Sequence, residues 1–427
     1  MDNDGKLKFP VAIYGAGATA NSLFVSLKQQ YNVVCFCDGD KQKHGSMLLG
    51  LPVMKFDDAI MHYEQLRVYV GTNVNYKFEI MDRLITEGFP KERILNYEPY
   101  KKYRSCQCLE TRIGFSEQAM LICPSSFGRN QSPVIPYSGN SNQNMKNYMR
   151  VRDSIIDTLS YSTQQTDDCI KHNCTNCPEV KDGFWAVKRR ISDICFSIKH
   201  RCNFKCSYCV EAKLDKSALT GNEHLDEVLD TMGLMRDQGV IDKLAIVSVA
   251  PTEISIHPNR DKILKTMEPY ICQFTTNCGV YVEAIAKSLQ KGGKIYCSLD
   301  AGTPETFLRV KAVNCFRKVC DNLKKYAESG TVEIKYIFLP DCNDNEVDLD
   351  GFIEACKTIS PAAIHIARNT YDYGTILSKH TMDMIVRMIN KAMEQGLQVN
   401  CSSLIFLPEE YKYIKDEVST TMKNEKI

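Results

Sequence analysis

The sequence lacks the features that would place the protein in a membrane or on nucleic acid. Its formal net charge is +1 and it has no run of five like charges, so no extended basic surface for DNA, RNA or an acidic bilayer is expected. A stretch of about eighteen apolar residues, which a transmembrane helix needs, is also missing. Residues 1–5 are acidic and polar rather than basic and then apolar, so we expect a cytoplasmic protein without nucleic-acid or membrane partners.

Other absences narrow the chemistry. The chain has no P-loop, no nucleophile triad and no paired-carboxylate site. Cysteine, in contrast, is abundant, with 20 in 427 residues. A small secreted protein would use so many as disulfides, but a large chain without an export signal favours reduced thiols and metal ligands. The length and the ordinary hydrophobic content, 44%, suit a globular protein of two or three domains.

Three cysteines, Cys202, Cys206 and Cys209, stand in one stretch of eight residues. A [4Fe-4S] cube held by only three thiolates keeps one open iron, where a small molecule can bind and receive an electron. The stretch follows an apolar run at 194–198 that is typical of a strand, so the thiols are expected where barrel enzymes hold their reactive groups. Zinc, a disulfide and buried thiols are the alternatives, although His200 is the only nearby fourth ligand for zinc.

The first hundred residues predict a Rossmann-like half domain. A strand at 11–14, a glycine turn at 15–20, a helix through Lys28 and a strand at 33–38 come first, followed by a strand at 67–70, a helix at 77–87 and a short strand at 94–97. The turn can present helix amides to a phosphate, and Asp38 stands where a ribose acceptor is expected. This domain, 1–100, resembles that of bacterial sugar O-acyltransferases. Nucleotide or nucleotide-sugar binding and an empty scaffold are equally supported.

The middle segment, residues 101–185, is polar and irregular, yet it holds six cysteines. Apolar runs at 113–115 and 120–123 predict a small hairpin that carries thiols, and a C-x2-C turn can close it. We expect a metal site formed by four of these cysteines: Cys108, Cys123, Cys174 and Cys177. Cys106 and Cys169 are the substitutes if one of the four is wrong. Zinc at the same four thiols and uncoordinated thiols are the alternatives.

Residues 186–407 alternate strands with helices, which predicts a partial (β/α)6 TIM-like barrel and an α/β fold. The predicted strands are 194–198, 244–249, 271–275, 294–299, 332–339, 363–367 and 399–402. The predicted helices include 225–237, 282–291, 315–328, 348–358 and 383–395. Residues 408–427 are charged and are expected to form a loose C-terminal tail.

The C-x3-C-x2-C spacing, with an aromatic residue before the last cysteine, resembles the radical S-adenosylmethionine (SAM) superfamily over roughly the last two thirds of the chain. In that family the three cysteines hold the cluster and SAM chelates the open iron. One electron, from an external donor such as flavodoxin or ferredoxin, cleaves SAM to methionine and a 5′-deoxyadenosyl radical that abstracts hydrogen from substrate. The middle segment resembles the SPASM or twitch modules of such enzymes, which implies a second [4Fe-4S] cluster. Here the module precedes the barrel, and Ala119 replaces its usual glycine.

The resemblance also implies residues that contact SAM. Tyr208 would approach the adenine, and Glu253 stands where relatives often carry Gly-Gly-Glu to receive the methionine amino group. Pro251 and Thr252 replace those glycines, and the proline lacks a backbone donor. Asn277 lies in a turn similar to the family's Thr-Asn-Gly. For Glu253 the alternative is a solvated surface carboxylate.

Further candidates follow the later strands. Ser298 and Asp300 alternate at a strand end and can both point into the barrel mouth. The resemblance pairs Ser298 with Arg309 to hold the SAM carboxylate, for which a guanidinium is well shaped. A surface salt bridge is the alternative for Arg309. His365 and Lys335 would be substrate contacts if they face the lumen, and ordinary packing is equally supported.

Together these features predict a radical SAM enzyme. The first lobe favours a carbohydrate or nucleotide-sugar substrate, whereas the middle module favours a peptide. A redox-sensing or metal-binding regulatory protein without turnover is one alternative. A nucleotide-dependent oxidoreductase that uses only the first lobe is another.

Overall fold

The computed structural model describes residues 7–72, 76–123, 134–161, 177, 179–186, 189–198, 200–209, 224–250, 252–372 and 374–424. The chain divides into two compact units. The first comprises Met1–Ile198, Gly221–Ser248 and Thr266–Ile271, and the second comprises Lys199–Thr220, Val249–Lys265 and Cys272–Ile427. The predicted domains, 1–100, 101–185 and 186–407, follow another division and stay predictions. No helix among the described residues is long and apolar enough to cross a membrane.

The first unit opens with a five-stranded sheet of order β3-β4-β2-β1-β5. Its strands are β1 (Leu7–Tyr14), β2 (Tyr31–Cys37), β3 (Met47–Leu48), β4 (Leu51–Met54) and β5 (Arg67–Val70), and its helices are α1 (Ala18–Gln30), α2 (Phe56–His62) and α3 (Lys77–Thr86). Strand β1 pairs in parallel with both β2 and β5. The predicted strand, glycine turn, helix and strand are therefore confirmed, while the Rossmann-like assignment stays a prediction.

The short strand predicted at 94–97 is wrong. Only one bridge forms there, between Val68 and Ile94. The reason is the Asn96 side chain, which accepts from the amide of Val70 at 2.9 Å and donates to the carbonyl of Val70 at 2.9 Å. A side chain thus replaces the strand partner that the edge of β5 would otherwise need.

The described residues of the middle segment are more regular than expected, so the expectation of an irregular segment is wrong for them. It contains β6 (Tyr100–Ser105), α4 (Gln107–Thr111), β7 (Arg112–Ser116), β8 (Ala119–Leu121), β9 (Val134–Pro136), α5 (Ser141–Tyr161) and β10 (Lys181–Ala186). Helix α5 is amphipathic, and its buried residues recur at helical spacing: Tyr148, Arg152, Ile155, Ile156 and Leu159. The polar average of this segment concealed that stripe. The predicted hairpin is confirmed, since β7 and β8 pair antiparallel.

Two more strands complete the first unit. Strand β11 (Ile191–Ser197) pairs in parallel with β7, and β12 (Ile241–Val249) lies beside β11 after helix α6 (Leu225–Asp237). Apolar residues of β12, Leu244 and Ile246, pack against the core of the N-terminal sheet. The predicted helix 225–237 has the observed bounds of α6.

The second unit is built on a parallel sheet. Its strands pair in chain order: β13 (Ile271–Thr275), β14 (Lys294–Ser298), β15 (Thr331–Phe338), β16 (Ala363–Arg368) and β17 (Val399–Cys401). The helices are α7 (Arg260–Met267), α8 (Glu283–Gln290), α9 (Pro304–Lys311), α10 (Phe316–Ser329), α11 (Glu346–Ile359), α12 (Lys379–Glu394) and α13 (Pro408–Asn424). The predicted strands match closely, and the helices agree apart from their ends. The partial-barrel closure stays a prediction.

The expected loose tail is wrong, because residues 408–424 form helix α13. Glu410 is fully buried and makes an ion pair with the buried Arg368. It also accepts from the amide of Leu407 at 3.0 Å, as the glutamate of a helix capping box does. Ile414 is buried one turn later. A charged composition therefore conceals a helix that is held by a buried ion pair and by further contacts such as the bond from the Tyr413 hydroxyl to Asp383.

Candidate functional site

The three cysteines lie in a loop that is attached to the end of helix α9. Cys202, Cys206 and Cys209 are all partly exposed. The amides of Lys205 and Ser207 donate to the carbonyls of Lys311 and Val310, at 3.2 and 2.8 Å. The last carbonyls of a helix have no partner within the helix. The loop satisfies two of them and is held in place by doing so.

The thiols are close enough to affect one another's ionisation. Burial raises the pKa of Cys202, and the nearby Cys209 raises it further. Burial also raises the pKa of Cys206, to about 11, while Lys311 opposes this and the two other thiols add to it. Without a metal, the thiols of Cys202 and Cys206 would therefore stay protonated at neutral pH. A bound cation is what would make them thiolates.

The donor set fits an iron–sulfur cube better than a single metal ion. Within the described part of the chain, no three His, Cys, Asp or Glu side chains converge closely enough to share one ion. An iron–sulfur cube does not need its ligands to converge on one atom, because each thiolate binds a different iron. His200, the only candidate fourth ligand for zinc, instead packs edge-on against the ring of His257, with centroids 5.0 Å apart.

A buried charged cluster lies behind the last two cysteines. The Tyr208 hydroxyl donates to Asp300 at 2.5 Å, and the Lys311 ammonium donates to Asp300 at 2.5 Å and to Tyr208 at 2.7 Å. Asp300 and Lys311 are almost fully buried. Burial and the charge of Asp300 both raise the pKa of Tyr208, so the phenol keeps its proton. The Tyr208 ring is therefore fixed beside Cys209.

Asp300 is held by the backbone as well. Its φ is +56°, the left-handed region that aspartate tolerates better than most residues. The second carboxylate oxygen accepts from the amide of Ile337 at 2.7 Å. The Asn343 side chain donates to its carbonyl at 2.9 Å. Asp300 was predicted to point into the barrel mouth, but it is fully buried. Its role toward SAM stays a prediction.

Sequence reasoning missed Lys311 and chose Arg309 instead. Arg309 donates to the Thr306 hydroxyl at 3.0 Å and to the Cys342 carbonyl at 2.8 Å, and no ion pair of Arg309 occurs among the described residues. Two positions apart on a helix, Arg309 and Lys311 point to different sides. Only Lys311 reaches Asp300. The role of Arg309 toward SAM stays a prediction.

Helix α9 begins with a side-chain cap. Thr303 caps it by accepting from the amide of Thr306 at 3.2 Å, and Pro304 takes the first helical position. The start of the helix packs closely on α11, because a Cβ at Gly302 would lie 1.9 Å from the carbonyl oxygen of Asp348. This close packing fixes the start of helix α9. It therefore also fixes the cysteine loop that is bonded to the end of the helix.

Glu253 is not a solvated surface residue, so that alternative is wrong. It is 1% exposed. Its carboxylate accepts from the Thr276 hydroxyl at 2.7 Å and from the amides of Asn277 and Ser255, at 2.7 and 3.0 Å. These bonds join the loop after β12 to the turn after β13. Pro251 lies outside the described residues.

Asn277 extends this network to the cysteine loop. Its side-chain amide donates to Asn203 at 2.8 Å and lies 3.6 Å from the Cys202 sulfur. The turn is tightened by the amide of Gly279, which donates to Asn277 at 2.9 Å. The structure thus brings Glu253, Asn277 and Cys202 together. Their spacing in the sequence did not reveal this contact.

The inner face of the sheet is polar. Ser298, Lys335 and His365 are register partners on β14, β15 and β16 and share one side of the sheet. The residues that alternate with them along each strand point to the other side, toward the helices. Cys297 and Ile334 are examples, and both are buried. Ser298 is partly exposed and is not joined to Arg309 by any contact among the described residues. Its role toward SAM stays a prediction.

The middle cysteines are only partly placed. Cys108 lies in helix α4, not on the hairpin as predicted, because Gln107, Leu109 and Glu110 around it favour a helical turn. A side-chain hydrogen bond with Cys108 and burial raise the pKa of Cys106, and the nearby Cys123 adds to this, so these three thiols are neighbours. Cys177 is described, whereas two further candidate ligands, Cys169 and Cys174, lie outside the described residues.

In the N-terminal lobe the glycine turn lines a cavity of about 480 Å³. Asp38 lies at its edge, where it accepts from the amide of Ala16 at 2.8 Å and from the Lys43 ammonium at 2.9 Å. These contacts lower the pKa of Asp38 against the opposing effect of burial. A ribose hydroxyl would have to share this carboxylate with both donors, and ligand binding here stays a prediction.

Two parts of the chain match known protein families. Residues 196–355 match the Radical SAM superfamily. This part of the chain is similar to a radical SAM domain. The match begins within β11 and includes the cysteine loop, Glu253, Asn277 and the Asp300–Lys311 pair. Residues 8–95 match a family described as C2185-like, N-terminal. The prediction of a radical SAM enzyme is confirmed at this level, while the SPASM and Rossmann-like resemblances stay predictions.

Curated relatives include two archaeal proteins named probable GTP 3′,8-cyclase. That of Methanosarcina acetivorans is 25% identical over 54% of this chain and 69% of its own length. That of Methanocella arvoryzae is 30% identical over 38% of this chain and 53% of its own length. Among solved structures, SuiB of Streptococcus suis bound to the precursor peptide SuiA covers 65% of this chain and 58% of that one, with 14% identity and a TM-score of 0.38.

Proposed function

We propose that this radical SAM enzyme cleaves SAM reductively at a [4Fe-4S] cluster held by Cys202, Cys206 and Cys209. When bound, the cluster would supply one electron, giving methionine and a 5′-deoxyadenosyl radical that abstracts hydrogen from the substrate. The observation that carries the proposal is the hydrogen-bonded network from the cysteine loop through Asn277 to Glu253. It gathers the thiols and a buried carboxylate at one end of the sheet.

The protein residues have separate tasks in this proposal. Asn277 and helix α9 hold the loop, and the Asp300–Lys311 pair fixes the ring of Tyr208 for the adenine. One oxygen of Glu253 accepts two of its hydrogen bonds and the other accepts only one. A carboxylate oxygen can accept two, so one place is open for the methionine ammonium group.

The substrate and the electron donor belong to the proposal as well. A carbohydrate or nucleotide sugar, or a peptide, is the proposed substrate, and flavodoxin or ferredoxin is the proposed donor. The alternative is an iron–sulfur or zinc protein that senses redox state without turnover. Anaerobic reconstitution followed by an assay for 5′-deoxyadenosine decides between them, because only the enzyme forms it.

Glu253→Gln is expected to weaken SAM binding by roughly 10- to 100-fold, the effect of losing one charged hydrogen bond. Arg309→Ala is expected to weaken it too, if the guanidinium leaves the Cys342 carbonyl for the SAM carboxylate. The cluster absorbance should not change, because neither side chain binds iron. Titration of the reconstituted protein with SAM measures this, with the surface variant Glu328→Gln as control. Unchanged SAM dissociation constants in both variants would refute the roles assigned here.

A second cluster is expected at Cys108, Cys123, Cys174 and Cys177. Four thiolates would saturate it, which suits electron transfer or a structural role. Iron and zinc should be measured in the triple variant that lacks Cys202, Cys206 and Cys209. About four irons per chain would support the second cluster. No metal, or one zinc, would show that the middle segment holds bare thiols or structural zinc.

A further inference from the structure

One row of polar side chains crosses the inner face of the second unit's sheet. The register pairs Ser298 with Lys335, Lys335 with His365, and His365 with Asn400. Paired residues of a parallel sheet point to the same side, so this row spans four strands. Parallel strands covered on both faces are normally apolar, which makes a polar row at this position a feature to be explained by function.

The carboxylate of Glu333, which lies beside this row, already forms an ion pair. Glu333, one step below Lys335 on the same face, makes an ion pair with Lys294 at 2.6 Å and bonds His365 at 2.7 Å. Burial would raise the pKa of Glu333, but the hydrogen bonds from His365 and Lys294 outweigh it and the pKa is lowered. Each oxygen of the Glu333 carboxylate therefore already has one hydrogen-bond donor, Lys294 or His365.

Lys335 is left with an ammonium group that has no partner among the described residues. It is partly exposed and stands between the hydroxyl of Ser298 and the ring of His365. With Lys294 and Glu333 cancelling each other, the inner face carries an excess positive charge at Lys335. An ammonium that is partly desolvated and unpaired attracts an anion.

His365 adds a second donor to that position. Its Nε2 is held by Glu333, and the ring packs edge-on against Tyr296 with centroids 5.9 Å apart. The ring is thereby oriented, and Nδ1 is left for a ligand. When both ring nitrogens carry a proton, Nε2 donates to Glu333 and Nδ1 can donate to an oxyanion beside Lys335.

We propose that Lys335 and His365 form a subsite for an oxyanion group of the substrate, a carboxylate or a phosphate. The proposal rests on the function proposed above and names the chemistry of its substrate. An anion held here would anchor one end of the substrate on the sheet. The rest of the molecule would extend toward the strand ends, where the cysteine loop lies.

Lysine footprinting of the anaerobically reconstituted full chain tests this subsite. Acetylation by sulfosuccinimidyl acetate, followed by peptide mass spectrometry, reports Lys335 separately from other lysines. The probes are inorganic pyrophosphate and succinate. At about ten times its dissociation constant, the probe that binds should slow acetylation of Lys335 about tenfold. Lys357, an exposed residue paired with Glu354, should be unaffected.

The two probes separate the two sources of the oxyanion, since protection by pyrophosphate indicates a phosphate and protection by succinate a carboxylate. His365→Gln keeps Lys335 as the reporter and should reduce the protection. No protection by either probe, or equal protection in His365→Gln, would overturn the proposal. Failure of the proposed function would show differently, as absence of 5′-deoxyadenosine from the wild type, and would not change the footprint.

Discussion

Replacing Cys202, Cys206 or Cys209 singly with alanine is expected to abolish formation of 5′-deoxyadenosine from SAM. Loss of one of three thiolates leaves two irons of the cube without a protein ligand, and no substitute ligand is found among the described residues of the loop. His200, the nearest alternative, is turned against His257. The measurement is anaerobic incubation with SAM and dithionite, followed by chromatography of the products.

A matched control is Cys315→Ala, at a partly exposed thiol at the start of helix α10. This variant should form 5′-deoxyadenosine at the wild-type rate. Retained product in all three loop variants would disprove the cluster assignment. A wild-type protein that binds iron but forms no product would instead support a redox sensor.

The second large effect is expected for Lys311→Met, which should destabilise the metal-free protein by about 3–5 kcal/mol. The substitution keeps the length of the side chain but leaves Asp300 charged in a fully buried position. The amide of Ile337 and the hydroxyl of Tyr208 would remain as its donors, and neither carries a charge. Urea unfolding followed by circular dichroism measures the loss.

The double variant Lys311→Met, Asp300→Asn removes both charges and should recover a large part of that stability, since the penalty comes from the unpaired charge. Lys357→Met, which breaks the exposed pair with Glu354, should cost no more than about 1 kcal/mol. If Lys311→Met cost as little as this surface variant, the buried pair would not be the support of the loop that its geometry indicates.

Local pattern was sufficient to predict much of the fold. Apolar residues recur along the strands of the second unit, alternating with polar ones on β15, and the bounds of β13 and α6 were predicted to the residue. Helix α5 and helix α13 were not predicted, because each hides a narrow buried stripe or a single buried pair in a charged sequence. These elements depend on tertiary contacts that composition does not reveal.

The candidate site was predictable where local sequence determines it and not where it depends on tertiary contacts. The spacing of the three cysteines and the position of Glu253 were evident in the sequence, because each follows a strand. Lys311 was not, since the choice between it and Arg309 depends on which side of α9 meets Asp300. Asn277 was chosen for its turn, whereas its contact with the cysteine loop is a property of the folded chain alone.

The two hydrogen bonds from the cysteine loop to the end of helix α9 have a consequence for exposure of the protein to oxygen. Cubes with an open iron are easily lost to oxygen, and a loop shaped only by its metal would collapse with it. Here the backbone is held by helix carbonyls that need no iron. If the proposed cluster is lost to oxygen, the loop should therefore keep its backbone shape, and reduced thiols, iron and sulfide should suffice to rebuild the cluster.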